Sequence, residues 1–83
     1  MKLTTNHENS KNGIPVFVDD DGRVMDYAYG VRTLRKNNKW SVKDLANRVG
    51  VSHRTVENWE QSRTIGRQSL MLLKNLMDRI ETE

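Results

Sequence analysis

Residues 41–60 read SVKDLANRVGVSHRTVENWE, and this stretch decides the fold. Ser41 is suited to cap a helix, because its hydroxyl can accept a hydrogen bond from a backbone N–H left unpaired in the first turn. Leu45, Ala46 and Val49 then fall on one face at helical spacing. Gly50 follows directly, and glycine takes a left-handed turn conformation without steric cost. Val51 is apolar, Ser52 offers a second cap, and Val56 and Trp59 form the buried face of a second helix. Ala46 is small, so the second helix can cross close to the first.

That order of cap, apolar helix with a central alanine, glycine turn, second cap and second helix is a helix-turn-helix pattern. LANRVGVSHRTVENWEQSR, residues 45–63, resembles the helix-turn-helix of the lambda-repressor-like (Cro/cI, XRE-type) DNA-binding family. Leu34-Arg35 precedes Ser41 as the family's leading LR usually does. Ala46, Gly50, Val56 and the Trp59-Glu60 pair agree in register, and the resemblance covers Val31 to Met77. The sequence departs from the family in three places. Val42 stands where the family often has a glutamine that touches a phosphate, Ser62 replaces the glycine of WExG, and the proline common a few residues later is replaced near Gly66. The resemblance implies an all-α fold of four to five short helices. It also implies that Arg35 and Glu60 pair, as a structural tie between the first helix and the end of the recognition helix.

The chain has 83 residues, enough for one small domain with a small core and marginal stability alone. Dimerisation is a common remedy. Without cysteine, no disulfide framework or thiolate metal site is available. No apolar run approaches the ~18 residues of a membrane span, and the start MKLTTNHENSKNG is too polar for a signal peptide. A soluble cytoplasmic protein is expected, with no membrane partner. The net charge of +3 is unevenly placed. Residues 1–30 hold three Lys/Arg and five Asp/Glu, residues 31–74 hold ten and three, and residues 75–83 hold one and three. The surplus of +7 therefore centres on the helix-turn-helix, which is the electrostatic footprint of a polyanion binder.

Outside the motif, residues 1–13 are polar and read as a flexible N-terminal arm. Residues 14–25 read as a short β-hairpin: IPVFV is β-prone, and Asp21-Gly22 suits a two-residue turn. Pro15 confines the first strand to a sheet edge. The three aspartates at 19–21 are consecutive, without a closing glutamate, so turn chemistry accounts for them better than an EF-hand. Residues 26–83 are expected to form the helix-turn-helix DNA-binding domain, closed by a C-terminal dimerisation helix. Asp26 can cap a helix from Tyr27 to about Asn37, and Trp40 covers an edge of the core. Residues 61–67 are a loop, and a last helix runs from about Gln68 to Ile80. Its apolar residues span roughly 160°, against the ~100° stripe that a small core needs. Leu70, Leu73 and Met77 are expected to seal the core, and Leu72, Leu76 and Ile80 to form a dimer interface. The alternative is a last helix that is simply well buried.

No active site is evident. His7 and His53 stand apart from each other and from any carboxylate cluster at ligand spacing, and there is no nucleophile elbow or glycine-rich phosphate loop. No enzyme activity, metal, cofactor or small-molecule ligand is expected. Double-stranded DNA is the expected partner. The second helix of such a motif enters the major groove with its N-terminal residues toward the base edges. Arg54 suits guanine and Asn58 suits adenine; Thr55 suits a thymine methyl or a phosphate. His53 can donate or accept at a base edge or phosphate. Glu57 accepts from cytosine or only holds Arg54 in place. Lys43, Arg48, Ser52, Gln61, Arg63 and Arg67 are the candidate phosphate contacts, with backbone N–H groups at helix N-termini.

The expected function is a sequence-specific transcriptional regulator, a repressor that binds a palindromic operator as a homodimer. Its resemblance to small phage and mobile-element regulators is family analogy. Two other readings stand beside it. One is an antitoxin that binds DNA with this motif and a toxin protein with residues 14–25. The other is a protein-interaction module of the same fold without DNA binding.

Overall fold

A computed structural model describes residues 1–61 and 65–82, the last two by backbone alone. Among these residues are three short strands and four helices. They group into two compact units: Met1–Met25 with the C-terminal stretch from Gly66, and Asp26–Ile65.

In the first unit, β1 (Lys2–Thr4), β2 (Val16–Val18) and β3 (Val24–Met25) form an antiparallel sheet in the order β1-β2-β3. Leu3 stands opposite Phe17 in one ladder, and Phe17 opposite Met25 in the other. β2 is Val-Phe-Val, branched and aromatic residues that fit a pleated surface, and all three are buried. The expected hairpin of 14–25 is present, but it differs from expectation in three ways. Its loop is Asp20–Gly22 rather than a two-residue turn. The Asp19 carbonyl accepts from Gly22 N–H at 3.0 Å, the Asp19 carboxylate accepts from Asp21 and Arg23 N–H at 2.9 Å each, and Gly22 takes φ +81°. A three-residue loop ending on a left-handed glycine is the next common hairpin connection. Second, the strand after Pro15 is central, not an edge. Pro15 lies outside the ladder, where its missing N–H costs no strand pairing.

Third, part of the stretch expected as a flexible arm is the added strand. Leu3 is buried, and β1 also lies against α4 (Arg67–Thr82). Beyond it the chain is tied by hydrogen bonds, one of them to the hairpin loop. Asn9 N–H donates to His7 Nδ1 at 3.0 Å, His7 Nε2 bonds the Gly22 carbonyl at 3.1 Å, and Ser10 Oγ donates to the Ile14 carbonyl at 2.6 Å. An Nδ1 that accepts leaves the proton on Nε2 to donate.

α4 begins at Arg67, one residue earlier than expected. It buries Leu70, Leu73, Leu76 and Met77 and exposes Met71 and Leu72. Leu76, expected on the interface side, is only 5% exposed and belongs to the core stripe with Leu73 and Met77. The wide apolar arc is divided one position away from the expected line. Ile80 is half-buried. No helix among the described residues is long and apolar enough to cross a membrane.

The second unit holds α1 (Tyr27–Asn37), α2 (Val42–Val49) and α3 (His53–Gln61). α3 packs on both α1 and α2. Val31 and Leu34 from α1, Leu45 and Ala46 from α2, and Val56 and Trp59 from α3 are buried. Asp26 precedes α1 as expected, yet its side chain makes no cap bond; only its carbonyl enters the helix ladder, accepting from Gly30 N–H at 2.8 Å. α1 ends where Asn38 Nδ2 donates to the Leu34 carbonyl at 2.9 Å. Lys39 then turns the chain with φ +57°.

Candidate nucleic-acid interface

The turn between α2 and α3 is set by local chemistry. Ser41 Oγ accepts from Asp44 N–H at 3.0 Å, and the Asp44 carboxylate accepts from Ser41 N–H at 3.0 Å. This reciprocal capping box satisfies two otherwise unpaired donors. The same bonds hold the Asp44 carboxyl below the usual carboxylate range, with a smaller contribution from Arg48. Gly50 takes φ +93°, and both it and Val51 donate to the Ala46 carbonyl, at 2.9 and 3.0 Å. The chain thereby leaves α2 in a left-handed cap and starts α3 three residues later, at His53. Ser52 opens α3: its hydroxyl lies 3.3 Å from Thr55 N–H and 2.9 Å from the Thr55 hydroxyl.

With Val56 and Trp59 turned inward, helical spacing leaves His53, Arg54, Glu57, Asn58 and Gln61 exposed. Thr55 is half-buried, with its hydroxyl engaged by Ser52. The five base-reading candidates thus lie in one helix, four of them exposed. Among the described residues Glu57 pairs with His53, one turn back at 3.4 Å, rather than with Arg54. Arg54 presents a planar fork of donors, and Asn58 presents a donor beside an acceptor; each can bond two atoms of one base edge.

The phosphate candidates are distributed. Lys43 is exposed in the first turn of α2, and Ser52 and Gln61 stand at the two ends of α3. Arg48 is exposed, and its guanidinium lies 4.5 Å from the centroid of the Trp40 ring. Trp40, expected only to cover the core, therefore also supports a cation on its face. Arg63 lies outside the described residues. Arg67, expected in a loop, opens α4 in the first unit, where its Nη2 would stand 3.4 Å from a Cβ at Gly13.

A pair of arginines secures the far end of α3. Arg35 holds Glu60 with two bonds of 3.0 Å, Nε to Oε2 and Nη2 to Oε1, and this raises the Arg35 pKa against the opposing effect of burial. Arg35 Nη1 also reaches the Trp40 carbonyl at 3.4 Å. Arg32, which sequence reading passed over, approaches the same carboxylate with Nε at 3.6 Å and donates from Nη2 to the Glu60 carbonyl at 3.3 Å. Its place three residues before Arg35 was the available signal, because i and i+3 share a helix face.

Residues 26–65 carry eight Lys/Arg and four Asp/Glu, a surplus of +4, whereas residues 1–25 and 66–83 together carry six and seven. Among the described residues no three His, Cys, Asp or Glu side chains gather into a metal site. A helix-turn-helix family model (HTH_3) matches residues 31–79, which include all of α1 from Val31, α2, α3 and most of α4. No curated protein and no solved structure matches the chain.

Proposed function

Because the chain belongs to the XRE/lambda-repressor-like helix-turn-helix family of DNA-binding regulators, we propose that it is a repressor that binds a palindromic operator as a homodimer. One observation carries the reading of the site. α3 is anchored by Val56 and Trp59 and turns Arg54 and Asn58 outward, one turn apart, on a unit with a surplus of positive charge. His53, Arg54, Thr55, Glu57 and Asn58 read the major groove. Lys43, Ser52 and Gln61 hold phosphates beside it, and Arg48 does so from its seat on Trp40. Phosphate contacts position the helix, and base contacts specify the sequence.

A single helix that reads three or four base pairs discriminates little, and two such helices multiply their ratios. Leu72, with Met71 beside it, offers exposed apolar surface on α4 for a second copy. A small protein that occupies promoter DNA represses by exclusion alone. The test is a mobility shift against random duplex DNA at low and moderate salt. With about 6–10 phosphates neutralised per dimer, affinity should fall ~10³–10⁵-fold between 50 and 200 mM salt. Absence of any shift at low salt would favour an interaction module instead.

A further inference from the structure

We infer that Arg32 is a DNA-backbone contact, a phosphate clamp preset at the far end of α3; this deepens the DNA-binding reading and rests on it. The observation is a mismatch of charge. Glu60 carries one negative charge, and Arg35 already balances it with two bonds of 3.0 Å, one to each oxygen. Arg32 shares that carboxylate only at 3.6 Å, so two guanidiniums face one carboxylate and one positive charge is left over.

The surplus cation is held in place rather than loose. Arg32 Nη2 donates to the Glu60 carbonyl at 3.3 Å, in the last turn of α3. Anchoring one edge of the fork lowers the rotamer entropy that a long side chain otherwise loses on binding. The rest of the side chain is open, with 46% of its surface exposed. A guanidinium has five N–H donors, and among the described residues only Nε and Nη2 of Arg32 have partners. A phosphate oxygen accepts from the remaining donors in the geometry that makes arginine suited to planar anions. The neighbourhood agrees in position. Gln61, a candidate phosphate contact, directly follows the residue whose carbonyl Arg32 bonds. Lys36 is exposed one turn along α1 on the same face.

Arg32 and Arg35 have separate roles. Arg35 ties α1 to α3 and is neutralised there. Arg32 adds little to that tie and keeps its charge for the ligand. Arg32→Gln tests this, because the amide can still donate to the Glu60 carbonyl while the charge is gone; Arg32→Lys keeps the charge. Binding to a random duplex is measured as log K against log salt, with folding followed by circular dichroism. Each phosphate contact contributes about 0.9 to the slope, so Arg32→Gln should flatten it by about 0.9 per bound subunit and weaken all sequences alike. Arg32→Lys should stay close to the wild-type slope. A folded Arg32→Gln protein with the wild-type slope overturns the inference while DNA binding by the family motif stands. A slope that flattens equally in Arg32→Lys also overturns it, because geometry at Glu60 and not charge would then be the cause. Failure of the wild-type protein to bind duplex at low salt would sink the underlying reading itself.

Discussion

Replacing Glu60 by alanine should destabilise the protein more than replacing either arginine that it holds. The side chain of Glu60 is 10% exposed and that of Arg35 20%. Removing one partner of a buried ion pair costs about 3–5 kcal/mol, because the other charge is stranded. Residual solvent contact screens part of this, so about 2–4 kcal/mol is expected for Glu60→Ala. That substitution leaves Arg35 without its carboxylate and also removes the group that Arg32 approaches at 3.6 Å. Arg35→Ala strands only Glu60, and Arg32 remains 3.6 Å from it as partial compensation; about 1–2 kcal/mol is expected. Arg32→Ala removes a half-exposed, looser partner and should cost less than about 1 kcal/mol. For a domain of this size 1 kcal/mol moves Tm by about 4–8 °C, so Glu60→Ala should lower Tm by at least about 8 °C. Thermal and urea unfolding followed by circular dichroism measure all three, and the Arg35→Ala/Glu60→Ala double variant gives the coupling. If Glu60→Ala proves no more costly than Arg35→Ala, the picture of two arginines sharing one carboxylate is refuted.

Two further outcomes follow from the caps and from α4. Ser41→Ala should cost about 1 kcal/mol by removing the cap. The Asp44 carboxyl is held below its ordinary value of 3.8 in the folded protein, so its contribution is present above that pH and is lost as pH falls through the lowered value; in a urea series from pH 2 to 6, Ser41→Ala should reduce this acid-side dependence without abolishing it, because the backbone N–H of residue 41 still donates to the carboxylate. On α4, Leu72→Glu should leave a folded monomer with weaker DNA binding, whereas Leu76→Glu should unfold the chain, because Leu76 is 5% exposed and Leu72 40%. Sedimentation and circular dichroism separate the two, and a Leu72→Glu protein that stays dimeric would move the interface elsewhere.

The motif from Ser41 to Trp59 was legible because its signals are local. A serine cap, a left-handed glycine and apolar residues at helical spacing each act within a few residues, and they agree. β1 was not legible. Lys-Leu-Thr has no strand pattern of its own, and its partner lies on the far side of a polar stretch; the pairing of Leu3 with Phe17 is a tertiary event. The hairpin loop was half legible. Asp-Gly marks a turn, but the Asp19 side chain captures two N–H groups downstream and makes the loop one residue longer. α4 was legible as an apolar helix, but its arc leaves open which edge turns inward, and packing puts Leu76 on the core side and Leu72 outside. In α3, Glu57 had both Arg54 and His53 within helical reach, and spacing alone does not choose between i−3 and i−4. Arg32 was overlooked because its role depends on how fully Arg35 occupies Glu60.

The reading of α3 as the base-reading helix of a two-fold repressor is tested most directly by selecting bound sequences from a random DNA pool, with the wild-type protein and Arg54→Ala side by side. Two inverted half-sites are expected, with centres about 10–10.5 bp apart or a multiple of that. Arg54→Ala should lose preference at one base pair per half-site, by about 1–3 kcal/mol, while the other positions keep theirs. A pool that shows no enriched site, or an Arg54→Ala profile identical to the wild type at every position, would contradict it.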